Sequence, residues 1–177
     1  MILQPTNLKN DLVWLEPLKQ EHFEELYLVA SDPLIWEQHP NPDRYKLDAF
    51  TNYFKGAMES GGAFIIRDTL SGQALGSSRY CGYDAAMKEV QIGYTFFSRE
   101  CWGKSINKAV KKLMLTHAFN YVDKVAFYVG ANNIRSQKAM EGIGGIKVRE
   151  EVVAYFGEPD RLNFRYEIKS DFILKRF

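Results

Sequence analysis

The chain has 177 residues, a formal net charge of +1, 46% hydrophobic residues and 25% charged residues. This length predicts one domain over residues 1–177, and the near-neutral charge and lack of a ~20-residue apolar run argue against nucleic-acid and membrane partners. Two cysteines without CxxC spacing, three scattered histidines and an N-terminus unlike a secretory signal predict a cytoplasmic protein without a metal site.

The first half of the chain has the pattern of one strand, two helices and then three strands. Apolar residues recur at helical spacing within 19–32 and within 46–62, and the second run stops at Gly61 and Gly62. Two prolines between these runs predict a loop or a short helix end. The predicted strands of this half are 12–18, 62–68, 74–83 and 89–97.

The second half begins with a long amphipathic helix over 103–122. Its predicted apolar stripe contains Ile106, Val110, Leu113, His117 and Tyr121. Its lysines lie largely off that stripe, which favours a solvated face, with phosphate contacts as the alternative; they are Lys104, Lys108, Lys111 and Lys112. The remaining predicted elements are a strand at 124–130, a helix at 133–145 and strands at 146–156 and 161–168.

The segment SRECWGKSIN joins the strand ending at Phe97 to this helix. Its Gly-Lys-Ser triplet resembles the end of a nucleotide-binding P-loop, but the first glycine of that motif falls on Ser98, which leaves magnesium-nucleotide binding as an alternative. A helix N-terminus suits an anion, and here Gly103 permits close backbone approach while Lys104 adds charge. The other interpretation is that the glycine only permits a sharp turn from strand to helix.

Two short motifs flank the strand at 124–130. The first, E-C-W-G-K-S at 100–105, lies directly before the long helix. The second, N-I-R-S at 133–136, opens the helix that follows the strand. That helix ends in E-G-I-G-G at 141–145.

In these motifs and in its element order, from Leu12 to about Ile168, the sequence resembles the GNAT superfamily of N-acetyltransferases. Within that superfamily it is most similar to the Rim-type branch of ribosomal-protein acetyltransferases. The family's pyrophosphate loop, [QR]-x-x-G-x-[GA], is matched at its central glycine, while Glu100 and Ser105 depart from it. The N-x-x-S motif of the branch is matched, and Gly142 replaces a lysine that is usual near the end of that helix.

The resemblance implies an α+β fold with αβα layers, in which helices flank a mixed, mostly antiparallel sheet whose fourth and fifth strands splay apart. It also implies an acetyl-CoA-dependent N-acetyltransferase, in which a primary amine attacks the thioester directly in a ternary complex. The amine would belong to a small molecule or a protein N-terminus. A non-catalytic acyl-CoA-binding module on the same fold is the alternative, and the aromatic C-terminal strands could support a homodimer.

The resemblance further indicates where coenzyme A would bind. The pantetheine arm would extend the free edge of the fourth strand, and the pyrophosphate would bind the loop before the long helix. The residues implied in coenzyme binding are Tyr94, Thr95, Phe96, Phe97, Trp102, Gly103, Lys104, Ser105, Ile106, Asn107, Asn133, Ser136 and Lys138.

The catalytic roles implied by the resemblance fall on Ser136 and Glu89. Ser136 would assist the departing thiolate, or else cap its helix. Many relatives have a glutamate where Gln91 lies, so Glu89, on the same face of the strand, is the candidate base, with a water chain as the alternative. Cys101 at a helix N-terminus is an alternative nucleophile. Candidate acceptor-site residues are Trp36, Glu37 and His39.

Overall fold

The computed structural model describes residues 1–173, so residues 174–177 of the predicted domain lie outside the described part. Within the described residues, seven strands form one sheet: β1 (Val13–Pro17), β2 (Ala63–Asp68), β3 (Ala74–Asp84), β4 (Glu89–Phe97), β5 (Lys124–Gly130), β6 (Ile146–Ala154) and β7 (Asp160–Lys169). The helices are α1 (Phe23–Ala30), α2 (Leu47–Glu59), α3 (Ile106–Ala118), α4 (Ile134–Gly142) and α5 (Ser170–Ile173). The predicted order is confirmed, with the short α5 added at its end.

The strands lie in the order β1-β2-β3-β4-β5-β7-β6 across the sheet. Neighbouring strands are antiparallel except β4 and β5, which are parallel. Parallel neighbours need a crossover connection between them, and α3 supplies it. The predicted mixed, mostly antiparallel sheet is therefore confirmed.

The two faces of the sheet bury two separate cores. On one face, Phe64 and Ile66 of β2 belong to a cluster that includes Val110 of α3 and Met140 of α4. On the other face, Ile65 packs in a cluster built largely from α1 and α2. Because side chains alternate along a strand, a sheet with helices on both sides can bury both sets. This arrangement is the predicted αβα layering.

Strands β4 and β5 pair over three residues each and then separate. The last pair is Gln91 with Ala126, although both strands continue beyond it. On its other edge, β4 contains a bulge, because Ser78 of β3 lies opposite both Tyr94 and Thr95. Tyr94 has a φ of +52°, in the left-handed region. A bulge bends its strand, so this one accompanies the departure of β4 from β5.

Helix α3 is shorter than the predicted segment 103–122, and its buried face only partly matches the predicted stripe. Val110 of that stripe is buried, together with Met114 and Ala118, whereas Tyr121 lies beyond the helix and is exposed. The predicted stripe is therefore correct at Val110 and wrong at its C-terminal end. In the described part of the chain, no helix has the length and apolar content needed to span a membrane.

Candidate coenzyme and acceptor site

A cavity of about 650 Å³ occupies the space where β4 and β5 separate. Its walls are the free parts of both strands, the loop before α3, and the first turns of α3 and α4. Its inner end is closed by Trp36, His39 and Tyr155. The splayed strand pair that the family resemblance implied is thus present, and it encloses a volume suited to a small-molecule ligand.

The cavity brings together nearly all of the residues predicted to bind the coenzyme. Those in its lining are Tyr94, Thr95, Phe96, Phe97, Trp102, Gly103, Lys104, Ser105, Asn107, Asn133, Ser136 and Lys138. Ile106 is the exception, since its side chain packs against the core formed with α3. The lining residues come from separate elements that only the fold makes adjacent.

The loop before α3 has the geometry of an anion site. Gly103 has a φ of +72°, and a Cβ built on it would meet no atom within 4 Å, so the backbone is open on that side. The first helical hydrogen bond runs from Ala109 N to Ser105 O, so the N–H groups of Ser105, Ile106 and Asn107 have no carbonyl partner within the helix. No acidic side chain lies in this first turn to oppose an anion.

One backbone donor of this loop is already engaged. The N–H of Lys104 donates to the carbonyl of Cys101 at 3.2 Å, closing a turn. This N–H is therefore not available to an incoming phosphate, in contrast to those of Ser105, Ile106 and Asn107. Lys104 still contributes its side-chain charge to the cavity lining.

The two polar residues of the N-x-x-S motif, Asn133 and Ser136, have different positions: one caps α4 and the other lines the cavity. The side-chain oxygen of Asn133 accepts a hydrogen bond from the N–H of Ser136 at 3.0 Å, so Asn133 is the N-cap of α4. The Ser136 side chain lies in the cavity lining instead. The interpretation of Ser136 as the helix cap is wrong, and its hydroxyl lies where a ligand can use it.

Lys111 was expected on a solvated helix face, and the structure corrects this expectation. Its side chain is 2% exposed, and its Nζ donates to Thr95 Oγ1 at 2.7 Å and to Ser78 Oγ at 3.2 Å. Burial lowers its pKa to about 7. The spacing contained a signal, because Lys111 precedes the buried Met114 and Leu115 by three and four residues and so shares their face.

The left-handed conformation of Tyr94 is held from three sides. The Tyr53 hydroxyl donates to the carbonyl of Tyr94 at 2.8 Å, and the N–H of Phe156 donates to its hydroxyl at 3.3 Å. The guanidinium carbon of Arg79 lies 3.2 Å from the centre of its ring. A non-glycine residue at positive φ costs about 1–2 kcal/mol, and these contacts offset that cost at the bulge.

A buried ion pair fixes the inner end of the cavity. Arg44 donates to both oxygens of Glu158, at 2.7 and 3.0 Å, and its guanidinium lies 5.5 Å from the Tyr155 ring. Arg44 also donates to Nε2 of His39 at 3.2 Å, and because a guanidinium can only donate, that nitrogen is unprotonated. Burial and then the Arg44 charge lower the pKa of His39 well below its usual value.

Glu89 lies apart from the cavity, at the paired end of β4. Both of its oxygens accept from Arg165, at 2.7 and 2.6 Å, and one lies 2.8 Å from Lys124. Although burial acts to raise the pKa of Glu89, the hydrogen bonds from Lys124 and Arg165 lower it below the usual value. The structure thus places Glu89 in a surface ion network, outside the cavity lining, where sequence spacing could not distinguish it from a base.

Two other expectations also change. Cys101 lines the cavity and also packs in the core, and burial raises the pKa of its thiol, whose Sγ lies 3.3 Å from Ser98 Oγ, which argues against a reactive thiolate. Among the acceptor candidates, Trp36 and His39 line the cavity, whereas Glu37 is outside it and pairs with Arg135 at 3.4 Å.

Residues 13–146 match the family model of the acetyltransferase (GNAT) domain. The chain belongs to the GNAT acetyltransferase family. The predicted family is confirmed, and members of this family use acetyl-CoA as the acetyl donor. A comparison with curated proteins gave no significant match.

Solved structures share this GNAT fold over nearly the whole chain. One described as a GNAT-family acetyltransferase from Chromobacterium violaceum has a TM-score of 0.80 and 21% identity, covering 93% of this chain and 87% of its own. Mycobacterium smegmatis RimJ, solved with CoA-disulfide, has a TM-score of 0.71 and 15% identity, covering 91% and 83%. Vibrio cholerae spermidine N-acetyltransferase, solved with CoA and spermine, has a TM-score of 0.69 and 14% identity, covering 94% and 100%.

Proposed function

We propose that this protein is an acetyl-CoA-dependent N-acetyltransferase that transfers the acetyl group to a primary amine by direct attack in a ternary complex. The observation that carries the proposal is the cavity itself. It runs from an anion-binding helix N-terminus along the unpaired edge of β4 to an aromatic inner end. This is the sequence of environments that a coenzyme with phosphates at one end and an acyl group at the other requires.

The phosphates would bind at the start of α3. The N–H groups of Ser105, Ile106 and Asn107 would donate to the pyrophosphate, and Lys104 would add charge. Lys108 and Lys138 also line the cavity and carry the same sign. The pantetheine arm would extend the sheet along Tyr94–Phe97, which β5 leaves unpaired.

The amine must attack as the free base, and charge must be stabilised on the thioester oxygen as it reacts. Backbone N–H groups of the β4 bulge are the donors available for that oxygen. The Ser136 hydroxyl, in the cavity lining at the start of α4, would donate to the departing sulfur. Glu89 is not part of this proposal, because Arg165 and Lys124 hold its carboxylate outside the cavity.

The acceptor would bind at the inner end of the cavity, against Trp36, His39 and Tyr155. Among the described residues that line the cavity, none is an aspartate or glutamate, so no carboxylate is available to bind a second cationic group of the acceptor. This favours a protein N-terminus or a small monoamine over a polyamine. The Vibrio cholerae spermidine N-acetyltransferase represents the polyamine alternative among the structural neighbours.

The proposal also includes a cytoplasmic location and a homodimer. Two unpaired cysteines, Cys81 and Cys101, are consistent with a cytoplasmic location. Exposed apolar side chains on β6 and β7, including Ile146, Val152 and Leu162, would suit a homodimer. Sedimentation measurements on the purified protein would test the second point.

Calorimetric titration with acetyl-CoA, with magnesium-ATP as the paired control, is the first test. We expect acetyl-CoA to bind with micromolar affinity and magnesium-ATP not to bind. Release of CoA in the presence of an amine panel, containing peptides with free N-termini, amino acids and spermidine, then tests catalysis. Binding without release for any amine would instead support the non-catalytic module, which no present observation favours.

A further inference from the structure

A buried amine lies at the point where β4 and β5 separate. Lys111 reaches from α3 to the bulge of β4, with its Nζ 2.7 Å from Thr95 Oγ1. The same Nζ is 5.9 Å from the ring centre of Phe127, the first residue of β5 beyond the last strand pair. Lys111 is also one of the residues that line the cavity in which a ligand would fill the splay.

No carboxylate accompanies this amine among the described residues of the lining. The groups that contact its nitrogen are the hydroxyls of Ser78 from β3 and Thr95 from β4, and the Phe127 ring of β5 lies beside it. The charged residues that share the lining are Lys104, Lys108, Arg135 and Lys138, all of them cations. Burial without a counter-ion therefore keeps a large fraction of Lys111 uncharged near neutral pH, in agreement with its pKa of about 7.

The fold does not need an amine at this position. The hydroxyls of Ser78 and Thr95 lie 2.8 Å apart and bond to each other, so both have a partner without Lys111. The neighbours of Lys111 on its helix face, Met114 and Leu115, are buried apolar residues. An apolar side chain would satisfy this environment at lower cost in stability, which is the pattern expected of a residue that serves function at the expense of stability.

The proposed function leaves one proton without a carrier. Formation of the bond from the amine nitrogen to the acetyl carbon leaves an extra proton on nitrogen, and cleavage of the carbon–sulfur bond produces a thiolate that needs one. His39 is a poor carrier, since its unprotonated Nε2 already accepts from Arg44. Glu89 lies outside the cavity and is held by Arg165.

We propose that Lys111 is a catalytic residue that carries this proton from the attacking nitrogen to the departing sulfur, with Thr95 positioning its Nζ. The inference rests on the proposed function. Neutral Lys111 accepts the proton as the carbon–nitrogen bond forms, and its ammonium returns the proton to sulfur as the carbon–sulfur bond breaks. The products are the amide and the free thiol. Lys111 returns to its neutral form, and no external acid, base or redox partner is consumed.

The test compares Lys111→Met and Lys111→Arg with Lys112→Met, whose residue is exposed and outside the cavity lining. The readouts are the Kd of acetyl-CoA and kcat between pH 6 and 9 with the best amine of the panel. Both Lys111 variants should bind acetyl-CoA within threefold of wild type and lose about 100-fold or more in kcat, since methionine cannot carry a proton and arginine cannot release one. The ionisation near pH 7 should disappear from their kcat profiles, and Lys112→Met should behave as wild type.

Two results would overturn the proposal while leaving the proposed function intact. One is a Lys111→Met variant whose kcat stays within threefold of wild type. The other is a loss of acetyl-CoA affinity that accounts for the whole defect, which would make Lys111 a coenzyme contact. A wild-type protein that binds acetyl-CoA and acetylates no amine would overturn the proposed function and the proton relay together.

Discussion

The guanidinium carbon of Arg135 lies 3.8 Å from the centre of the Trp102 ring, and this stack joins the loop before α3 to the first turn of α4. Arg135 also donates to the carbonyl of Ile35 at 3.0 Å. Three segments that are distant in sequence therefore meet at one side chain. All three residues line the cavity, so the stack connects its two walls.

We expect Arg135→Ala to raise the Kd of acetyl-CoA about fivefold, because a cation–π contact of ~1 kcal/mol that holds the phosphate loop is lost. Lys138→Ala, on the same helix, removes one charge from the lining without touching Trp102 and should have a smaller effect. Calorimetry at two salt concentrations separates the two contributions, since the charge effect is screened and the stacking effect is not. Tighter binding in Arg135→Ala would show that the stack obstructs the cavity.

Gly103→Glu should abolish detectable acetyl-CoA binding, because it forces a side chain into a left-handed backbone and adds negative charge beside the phosphate donors. Gly72→Glu is the matched control. Gly72 has a φ of +74° and equally open surroundings, but it lies in the turn between β2 and β3. Both variants should lose a similar ~1–2 kcal/mol of stability, and Gly72→Glu should keep its affinity. Retained affinity in Gly103→Glu would contradict the phosphate loop.

Ser136→Ala and Asn133→Ala should separate catalysis from helix capping. Removing the Ser136 hydroxyl should lower kcat about tenfold or more with little change in the melting temperature, because the cap of α4 is made by Asn133. Asn133→Ala should instead lower stability by about 1 kcal/mol, the usual cost of a lost N-cap. Thermal unfolding and single-turnover kinetics measure the two effects. A stable Ser136→Ala enzyme with unchanged kcat would exclude Ser136 from the chemistry.

Lys111→Met should be more stable than wild type at pH 6, with a melting temperature raised by about 5–10 °C. The pKa of Lys111 is about 7 in the folded chain and near 10.5 in the unfolded chain, so the unfolded wild type holds the extra proton between these values. The free energy of unfolding of the wild type should therefore rise with pH from about 7 to 10.5. Over that range the difference in stability between the variant and the wild type should become smaller. A pH-independent difference would contradict the lowered pKa.

The sequence by itself determined the order of the elements and the place of the anion site. Periodicity located the seven strands and four longer helices, and the glycine at 103 ahead of α3 indicated a helix N-terminus open to phosphate. These are local properties, because strand alternation, helical spacing and backbone freedom at glycine depend on neighbours within a few residues. The motif at Asn133–Ser136 was instead found through the family resemblance.

The tertiary structure decided which charged side chains are available for chemistry. Spacing could not show that Glu89 is held by Arg165, and although it placed Lys111 on a buried face, it could not show that the amine contacts Thr95. Burial and counter-ions set the protonation of a side chain, and both depend on residues far away in the chain, such as position 165 for Glu89. The sequence located the loop that would hold a coenzyme, and the packing of α3 on the splayed strands determined which group can move the proton.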